Sequence, residues 1–518
     1  RLAELGLRLG HPVPPDQTGH VLKDVVTWYY SQFKSLVASI APEGLLEFLI
    51  DQNERCIHDQ AMVKLVAGRR LLCYGSLPGV EEGVGEAFRS RNIASLASRV
   101  LIEFVASSPS SGTMPMCNAT YDTLLALTAG IVGWGSLSDV HHLNVVPLPL
   151  KVARSGILNV DNQVGQRVAD AFVDAWVGDQ GVRASRTSTS GSQDSDGEEL
   201  LQRFDQGTRA EFGLSLRELV ATLVAIEQMS DPVSPWSALT TEEMVERLSV
   251  SLSWPTEKVR TSLAFFTLAP RPDYLDPPTG FKRADIYPWQ FNRALSYLRR
   301  PLLQHNREGA QELVWGRRNL HVASMYLMDL CATGKLRASS ESMRRALGST
   351  RTGETALFVK SIAASIPAAA GRIVKQSVWK IGGRRLIGED GNDLGDIDVL
   401  VVDVAKHIIV LIEAKDFLLA RTPIEFANEL RKLLPTPGSR SSAVQRQEMR
   451  TKWVSARIPE TLKFAGVAPG NGGKWRVRPL IVISQEGIAR LLNDTGIPII
   501  PFRSLDEWIR TGRIWSHR

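Results

Sequence analysis

Three charged side chains near the end of the chain have a spacing that would place them together on one β-hairpin. Asp398 lies in one apolar run, and Glu413 and Lys415 end the next apolar run. Because only three residues separate the two runs, we expect an antiparallel hairpin. With the turn centred between Ala405 and Lys406, the numbers of cross-strand partners add up to 811, and Asp398 lies opposite Glu413.

Side chains on a hairpin alternate between its two faces, so the same register groups the neighbouring charges. Asp396 shares a face with Asp398, and Lys415 shares a face with Glu413. Opposed side chains lie roughly 5 Å apart at Cβ, so facing carboxylates in apolar surroundings repel each other. A divalent cation would remove that repulsion, and Mg²⁺ commonly takes one or two protein carboxylates. Such an ion polarises a phosphodiester and activates a bound water, which a neighbouring lysine can orient.

A glutamate and a lysine two residues apart on a strand are also common in proteins where they have no catalytic role. The surrounding elements make the cluster more specific, because the expected order is a helix, three strands, a helix and a strand. We expect the first helix at residues 352–366 and the three strands at 374–381, 396–403 and 407–415. A strand at 479–484, a helix at 486–493 and a strand at 499–502 complete the core, and a last helix at 504–511 closes the domain.

The pattern resembles the PD-(D/E)xK nuclease superfamily, which includes restriction endonucleases, resolvases and RecB-type exonucleases. The matching residues are Gly395–Leu400 (GDIDVL) for the acidic motif and Glu413–Lys415 (EAK) for the second motif. The proline of the family's name is absent, and Ile397 stands before Asp398. The resemblance covers residues 345–518 and implies an α/β restriction-endonuclease-like domain with a mixed central sheet.

The resemblance also implies roles for individual residues. Asp398 and Glu413 would be ligands of Mg²⁺, for which Mn²⁺ can substitute, and the carbonyl of Ala414 would be a further ligand. Lys415 would be the catalytic lysine. Glu354 resembles the helix glutamate that often completes the site, whereas Asp396 enters from the hairpin register as an auxiliary carboxylate.

The segment from Ser441 to Ala456 is expected to be a helix. RecB-like members carry a glutamine-containing helix motif, and Gln445 or Gln447 would be the corresponding auxiliary residue. The alternative is that each is a solvated polar side chain. The charge distribution points to a polyanionic partner, because residues 351–518 contain 26 Lys and Arg against 17 Asp and Glu. Four basic residues of this region suit DNA phosphate contacts or, alternatively, a plain solvated face: Arg446, Arg450, Lys452 and Arg457.

The rest of the chain has no recognisable chemistry. Residues 1–182 are expected to form a helical N-terminal domain, and the Ser-, Gly- and Asp-rich residues 183–199 a disordered linker or loop. Residues 200–340 are expected to form a second helical domain. Within it, two helices near 240–266 and a turn-rich hairpin up to about 290 predict a winged-helix-like segment, although ordinary packing helices have the same pattern.

Composition excludes several other classes. The four cysteines form no CxxC pair, which argues against a disulfide framework or a structural zinc site and favours a reducing, cytoplasmic location. No apolar run reaches about 18–20 residues, so we expect no membrane span; the nearest candidate is Leu124–Trp134. The chain begins at Arg1, which leaves open a longer parent protein.

The sequence therefore predicts a multidomain protein with a mostly α-helical N-terminal two-thirds and a C-terminal Mg²⁺-dependent endonuclease domain. By analogy of architecture, it resembles bacterial restriction and anti-phage defence proteins whose helical domains select the target. The expected partners are DNA and either a second copy of the chain or a larger defence complex. The alternative is a catalytically silent DNA-binding, regulatory or assembly protein, and cleavage of RNA or branched DNA is a third interpretation.

Overall fold

The computed structural model divides the chain into two compact units. The N-terminal unit comprises Arg1–His142, Leu150–Leu158 and Asp194–Thr350, and the C-terminal unit comprises Leu143–Pro149, Asn159–Gln193 and Arg351–Arg518. The residues that the structure describes are 7–75, 77, 79–160, 194–290, 292–307, 309–389, 391–417, 420, 423–435, 441–467, 474–485, 487–493 and 495–514.

Helices form most of the first 350 residues. They are α1 (Thr18–Ser39), α2 (Leu45–Tyr74), α3 (Val80–Ser107), α4 (Asn118–His142), α5 (Asp194–Phe212), α6 (Leu216–Met229), α7 (Thr241–Leu252), α8 (Thr256–Phe266) and α9 (Arg317–Ala332). The strands are β1 (Leu150–Val152), β2 (Leu158–Val160), β3 (Trp236–Thr240), β4 (Thr267–Leu268), β5 (Leu302–Arg307) and β6 (Ala310–Gly316). Strands β3 to β6 form one sheet in the order β3-β6-β5-β4.

The helical segments on either side of the predicted linker belong to one unit and share a hydrophobic core, whereas the sequence predicted two separate domains. Phe33 and Leu101 from the first segment pack in the same cluster as Tyr297 and Val314 from the second. Such long-range burial leaves no trace in local periodicity, which reports only which face of an element is apolar.

The predicted linker lies partly outside the described residues. Residues 183–193 of the linker are not among the described residues. Residues 194–199 form the first turns of α5, so they are helical and not a linker. Polar composition misled the prediction here, because the polar face of a helix has the same composition as a loop.

The two helices predicted near 240–266 are confirmed as α7 and α8, and α7 begins with a capping box between Thr240 and Glu243. The predicted position of the hairpin, directly after these helices, is wrong. The hairpin lies further along the chain and is formed by β5 and β6. Apart from the short strand β4, the intervening described residues form turns, irregular segments and one 3₁₀ helix. Their many prolines explain this, because proline cannot donate a hydrogen bond to a strand ladder.

Helix α4 contains Leu124–Trp134, the segment nearest to one that could cross a membrane. By length and composition alone, it is long and apolar enough to do so, and it is the single such helix in the described part of the chain. Tyr121, Leu124 and Ile131 of this helix pack in the core that also contains Phe33.

The C-terminal unit is an α/β unit around a mixed five-stranded sheet. Its strands are β7 (Arg372–Val378), β10 (Ile397–Asp403), β11 (Ile408–Lys415), β12 (Arg476–Ile483) and β13 (Ile499–Pro501), in the order β13-β12-β11-β10-β7. Strands β8 (Lys380–Ile381) and β9 (Arg384–Arg385) form a separate small hairpin. Helix α10 (Glu341–Ser365) belongs to this unit from Arg351 onwards. The other helices are α11 (Pro423–Leu433), α12 (Ala443–Ser455), α13 (Ile458–Ala465), α14 (Ile488–Leu492) and α15 (Leu505–Arg510).

The predicted hairpin is confirmed in both position and register. Strands β10 and β11 pair antiparallel with Val399 opposite Ile412, as the sequence arithmetic requires. Strands β11, β12 and β13 then run parallel, which makes the sheet mixed. Helix α10 packs on one face of the sheet through Phe358 and Ile362, and α12 packs on the other face through Val454.

Candidate active site

Asp398 at the start of β10 is tied directly to the strand beside it. Its Oδ2 accepts a hydrogen bond of 2.6 Å from the backbone N–H of Ala414. Burial, and next the charge of Glu413, raise the pKa of the Asp398 carboxyl to about 6. The aspartate therefore lies in an environment that disfavours its own charge, as expected for two carboxylates that face each other on a hairpin.

Glu413 is almost fully buried, with 2% of its surface exposed. Lys415 Nζ lies 2.5 Å from its Oε1, Arg450 forms an ion pair with its Oε2, and Arg446 Nη2 lies 3.8 Å from Oε1. Burial alone would raise the pKa of Glu413, but Lys415 and Arg450 outweigh it and lower that pKa. The protein itself thus supplies the counter-charge that the sequence argument assigned to a metal ion.

Helix α12 holds this arrangement against the sheet. Arg450 is 3% exposed, and its Nε also donates a 2.9 Å hydrogen bond to the carbonyl of Leu394, just before the acidic motif. Gln447 is buried and its Nε2 donates to the carbonyls of Leu411 (2.7 Å) and Leu480 (3.2 Å), which belong to adjacent strands. Arg450 therefore positions Glu413 from the interior, which corrects its interpretation as a phosphate-binding surface residue.

Gly395 allows Arg450 to approach the acidic motif this closely. Its φ is +73°, a backbone conformation that side chains rarely adopt, and a Cβ atom at this position would lie 3.1 Å from Arg450 Nη2. The backbone turn thus favours glycine at this position of the GDID motif, and a Cβ atom would also press against Arg450.

The remaining predicted residues differ in where the structure places them. Asp396 is half-buried, and its charge adds to the effects that raise the pKa of Asp398. Glu354 lies on α10, but its side chain is outside the described residues. Gln445 caps helix α12, because its Oε1 accepts a 2.8 Å hydrogen bond from the backbone N–H of Ser442.

Two of the predicted DNA-binding residues lie away from the cluster. Lys452 is exposed two residues beyond Arg450, which corresponds to roughly 200° around an α-helix. The Arg457 guanidinium lies 4.5 Å from the ring centroid of Trp453. Of the four predicted basic residues, Arg446 alone lines the cleft that the cluster borders.

That cleft has a volume of about 640 Å³. Its walls contain four basic side chains, contributed by β11, α11 and α12, and they also carry the ring of Phe417. The described residues that line it are Thr355, Ala414, Lys415, Asp416, Phe417, Asn428, Arg431, Lys432, Ser441 and Arg446.

Sequence reasoning missed the α11 side of this cleft. Arg431 and Lys432 form the basic last turn of a strongly amphipathic helix, which is a common stabilising arrangement at any helix C-terminus. The pair of adjacent basic residues was visible in the sequence, but nothing local connected it to Lys415, which precedes it by sixteen positions. The fold brings the two segments to the same cleft.

The donor atoms of the site fit one divalent cation of the Mg²⁺ type. The carboxylates of Asp398 and Glu413 and the carbonyl of Ala414 are oxygen donors, and Mg²⁺ completes its shell with water. A carboxylate offers about four lone-pair directions, so the cations around Glu413 do not exhaust its oxygens. In the described part of the chain, His, Cys, Asp and Glu form no group of three or more that could hold a metal ion by themselves.

Comparison with known proteins places the chain in a defence context. A family model with the description "Anti-phage protein Upx-like" matches residues 15–440, which is most of the chain. The match includes Asp398, Glu413 and Lys415, and it ends before helix α12, which carries Arg446 and Arg450. No curated protein and no solved structure matches the chain.

Proposed function

We propose that this chain, which belongs to the Upx-like anti-phage protein family, is a divalent-metal-dependent nuclease of the PD-(D/E)xK type that hydrolyses phosphodiester bonds of phage nucleic acid. The observation that carries the proposal is the cluster of Asp398, Glu413 and Lys415 at the border of a basic cleft. Family membership supports the defence role, and the cluster supports the chemistry.

The fold supports the same proposal. A mixed sheet with helices on both faces, and a hairpin that carries the acidic residue and the glutamate–lysine pair on adjacent strands, is the arrangement that the sequence resemblance implies. We infer that the C-terminal unit is restriction-endonuclease-like. The alternating order of elements arises independently of the motif residues, so motif and topology are separate supports.

The protein residues have distinct tasks in this proposal. Asp398, Glu413 and the carbonyl of Ala414 would hold Mg²⁺ or Mn²⁺, and the bound ion would supply Lewis acidity and a water of lowered pKa. Lys415 Nζ, fixed by Glu413, lies where it can orient a water or neutralise charge on the scissile phosphate. Arg450 keeps the Glu413 carboxylate in place, and the basic side chains of α11 and α12 bind phosphates of the nucleic acid substrate.

Cleavage of plasmid, linear duplex and single-stranded phage DNA with Mg²⁺, each measured separately, tests this proposal. We expect Asp398→Ala and Lys415→Ala to lose at least about 100-fold in rate, since removal of one preorganised charge-stabilising group commonly costs that much. Lys463→Ala, an exposed lysine on α13 outside the cleft, is the matched control and should cleave like the parent protein. Equal rates for all four proteins would contradict the proposal.

A catalytically silent DNA-binding or assembly protein is the second candidate. It is favoured by one observation, which is that Lys415 and Arg450 already neutralise Glu413 without a metal ion. Calorimetric titration with Mn²⁺ separates the two candidates. A nuclease should bind the ion and lose that binding in Glu413→Ala, whereas a silent domain should show no binding that depends on this carboxylate.

A further inference from the structure

Two positively charged side chains beside Glu413 form the inner end of the cleft. Lys415 and Arg446 both line the cleft, and both lie within ion-pairing distance of the glutamate. The Nε of Arg446 is buried and, within the described residues, has no hydrogen-bond partner. A nucleic acid strand that brings a phosphate to Glu413 must pass this guanidinium, and the side chain of Arg446 is 36% exposed, so its outer N–H groups can reach that phosphate.

Phe417 lies two residues beyond Lys415 on the cleft wall. Its backbone is clamped by Ser484, whose hydroxyl accepts a hydrogen bond from the Phe417 N–H and donates one to the Phe417 carbonyl, each at 2.9 Å. The half-buried ring is thus held on a fixed backbone, with part of it open to the cleft. A partly exposed aromatic ring in a cleft lined by basic side chains is the arrangement on which nucleic acid bases stack.

Helix α11 provides the outer cations. Lys432 Nζ lies 5.9 Å from the centroid of the Phe417 ring, and Arg431 lines the cleft beside it. Both side chains are exposed, so they can reach a phosphate next to a base on the ring. Asp416 is the single acidic side chain among the described lining residues, which leaves the cleft strongly positive.

The size of the cleft and the ring of Phe417 together favour a single strand over a double helix. Its volume of about 640 Å³ lies within the roughly 300–1,000 Å³ of pockets that enclose small ligands. A base that stacks on Phe417 must leave the stack of a double helix, because the faces of a base inside a duplex are covered by the neighbouring base pairs. Glu413 is buried at the inner end, so a phosphate must enter the cleft to reach it.

We infer that this cleft binds a single-stranded nucleic acid segment, with one base stacked on Phe417 and the adjoining phosphates held by Lys432 and Arg446. The inference rests on the proposed nuclease function and specifies its substrate as a single strand or the unpaired end or flap of a duplex.

Equilibrium binding without divalent cation tests the inference. The probes are a short fluorescein-labelled oligonucleotide of mixed sequence and the same strand annealed to its complement as a blunt duplex. We expect the parent protein to bind the single strand at least about 10-fold more tightly, and Phe417→Ala to lose about 5- to 100-fold of that affinity. Phe417→Tyr retains a stacking surface and should stay within about twofold of the parent.

Matched variants separate stacking from loss of structure. Phe464 is an exposed aromatic on α13, outside the cleft, and Phe464→Ala should leave single-strand binding unchanged. Lys432→Ala alters an exposed side chain, so it should fold, and it should lower the slope of log affinity against log salt by about 1. Lys463→Ala should leave that slope unchanged.

Several outcomes would overturn the inference. These are equal affinity for duplex and single strand, unchanged affinity in Phe417→Ala with an unchanged salt slope in Lys432→Ala, or displacement of the oligonucleotide by a free nucleoside monophosphate at equal concentration. Because cleavage is not the readout, binding through Phe417 by a protein that cleaves nothing would contradict the nuclease proposal alone. Cleavage of duplex DNA that is independent of Phe417 would contradict this inference alone.

Discussion

Each of the two units contains a buried glutamate paired with a buried arginine, and the two pairs differ in what surrounds them. In the N-terminal unit, Glu103 accepts hydrogen bonds from both terminal nitrogens of Arg293, from the Tyr274 hydroxyl (3.3 Å) and from the Tyr297 N–H (2.8 Å). All of these partners are buried. The carboxylate is thus enclosed by donors that belong to the core.

In the C-terminal unit, Glu413 has Arg450 as its buried partner, but its other neighbours face a cleft. Lys415 and Arg446 are partly exposed, and Asp398 beside them carries a carboxyl whose pKa is raised by burial and by Glu413. An ion pair between glutamate and arginine therefore does not by itself indicate a structural or a functional role. Access to solvent and a second, unfavourably placed carboxylate distinguish the candidate active site.

Removal of Arg293 should have the largest effect on stability. Arg293→Ala would leave Glu103 charged and buried, which typically costs about 3–5 kcal/mol. Urea unfolding followed by circular dichroism measures the free energy of unfolding. The control is Arg55→Ala, which removes an exposed helical pair with Asp51 and should cost less than about 1 kcal/mol. Equal losses in the two variants would show that the Glu103 cluster is not structural.

Removal of Arg450 should cost less stability and should also impair chemistry. Arg450→Ala leaves Glu413 paired with Lys415, so we expect a loss of about 2–4 kcal/mol together with a reduced cleavage rate of the folded protein. Arg457→Ala, from just beyond the same helix, is the control and should cost about 1 kcal/mol or less. If Arg450→Ala cleaved at the parental rate, Arg450 would not position the site.

A third buried glutamate, Glu54, sharpens the comparison because backbone N–H groups are its nearest donors. It accepts hydrogen bonds from Arg318 N (2.7 Å) and Asn319 N (2.9 Å) at the start of α9. Burial raises the pKa of Glu54 to about 7, against the opposing effect of these donors.

The folded protein therefore binds a proton at Glu54 more tightly than the unfolded chain, and stability should fall as pH rises from about 4.5 through 7. Glu54→Gln should reduce this loss by about 1–3 kcal/mol between about pH 5 and pH 8. Unfolding free energies across this range provide the measurement, with the exposed Glu43→Gln as control. An identical pH profile for Glu54→Gln and the parent would contradict the assignment.

The hairpin was predictable from sequence because its information is local. The alternation of side chains, the short turn and the two apolar runs fix the register that places Asp398 opposite Glu413, and the structure has that register. The prediction of a hairpin that ends at about residue 290 was also local and was wrong, because prolines and glycines there are equally compatible with a hairpin and with irregular turns.

The sequence by itself determined which strands form the C-terminal sheet, which carboxylates meet on it and that this third of the chain is basic. The tertiary structure alone decided that Arg450 lies inside the site, that Arg431, Lys432 and Phe417 line its cleft, and that the two helical segments share one core. The physical reason is how far apart in the sequence the interacting groups lie. Strand periodicity and hairpin register are set by neighbours in sequence, whereas burial and charge pairing depend on groups that only the folded chain brings together.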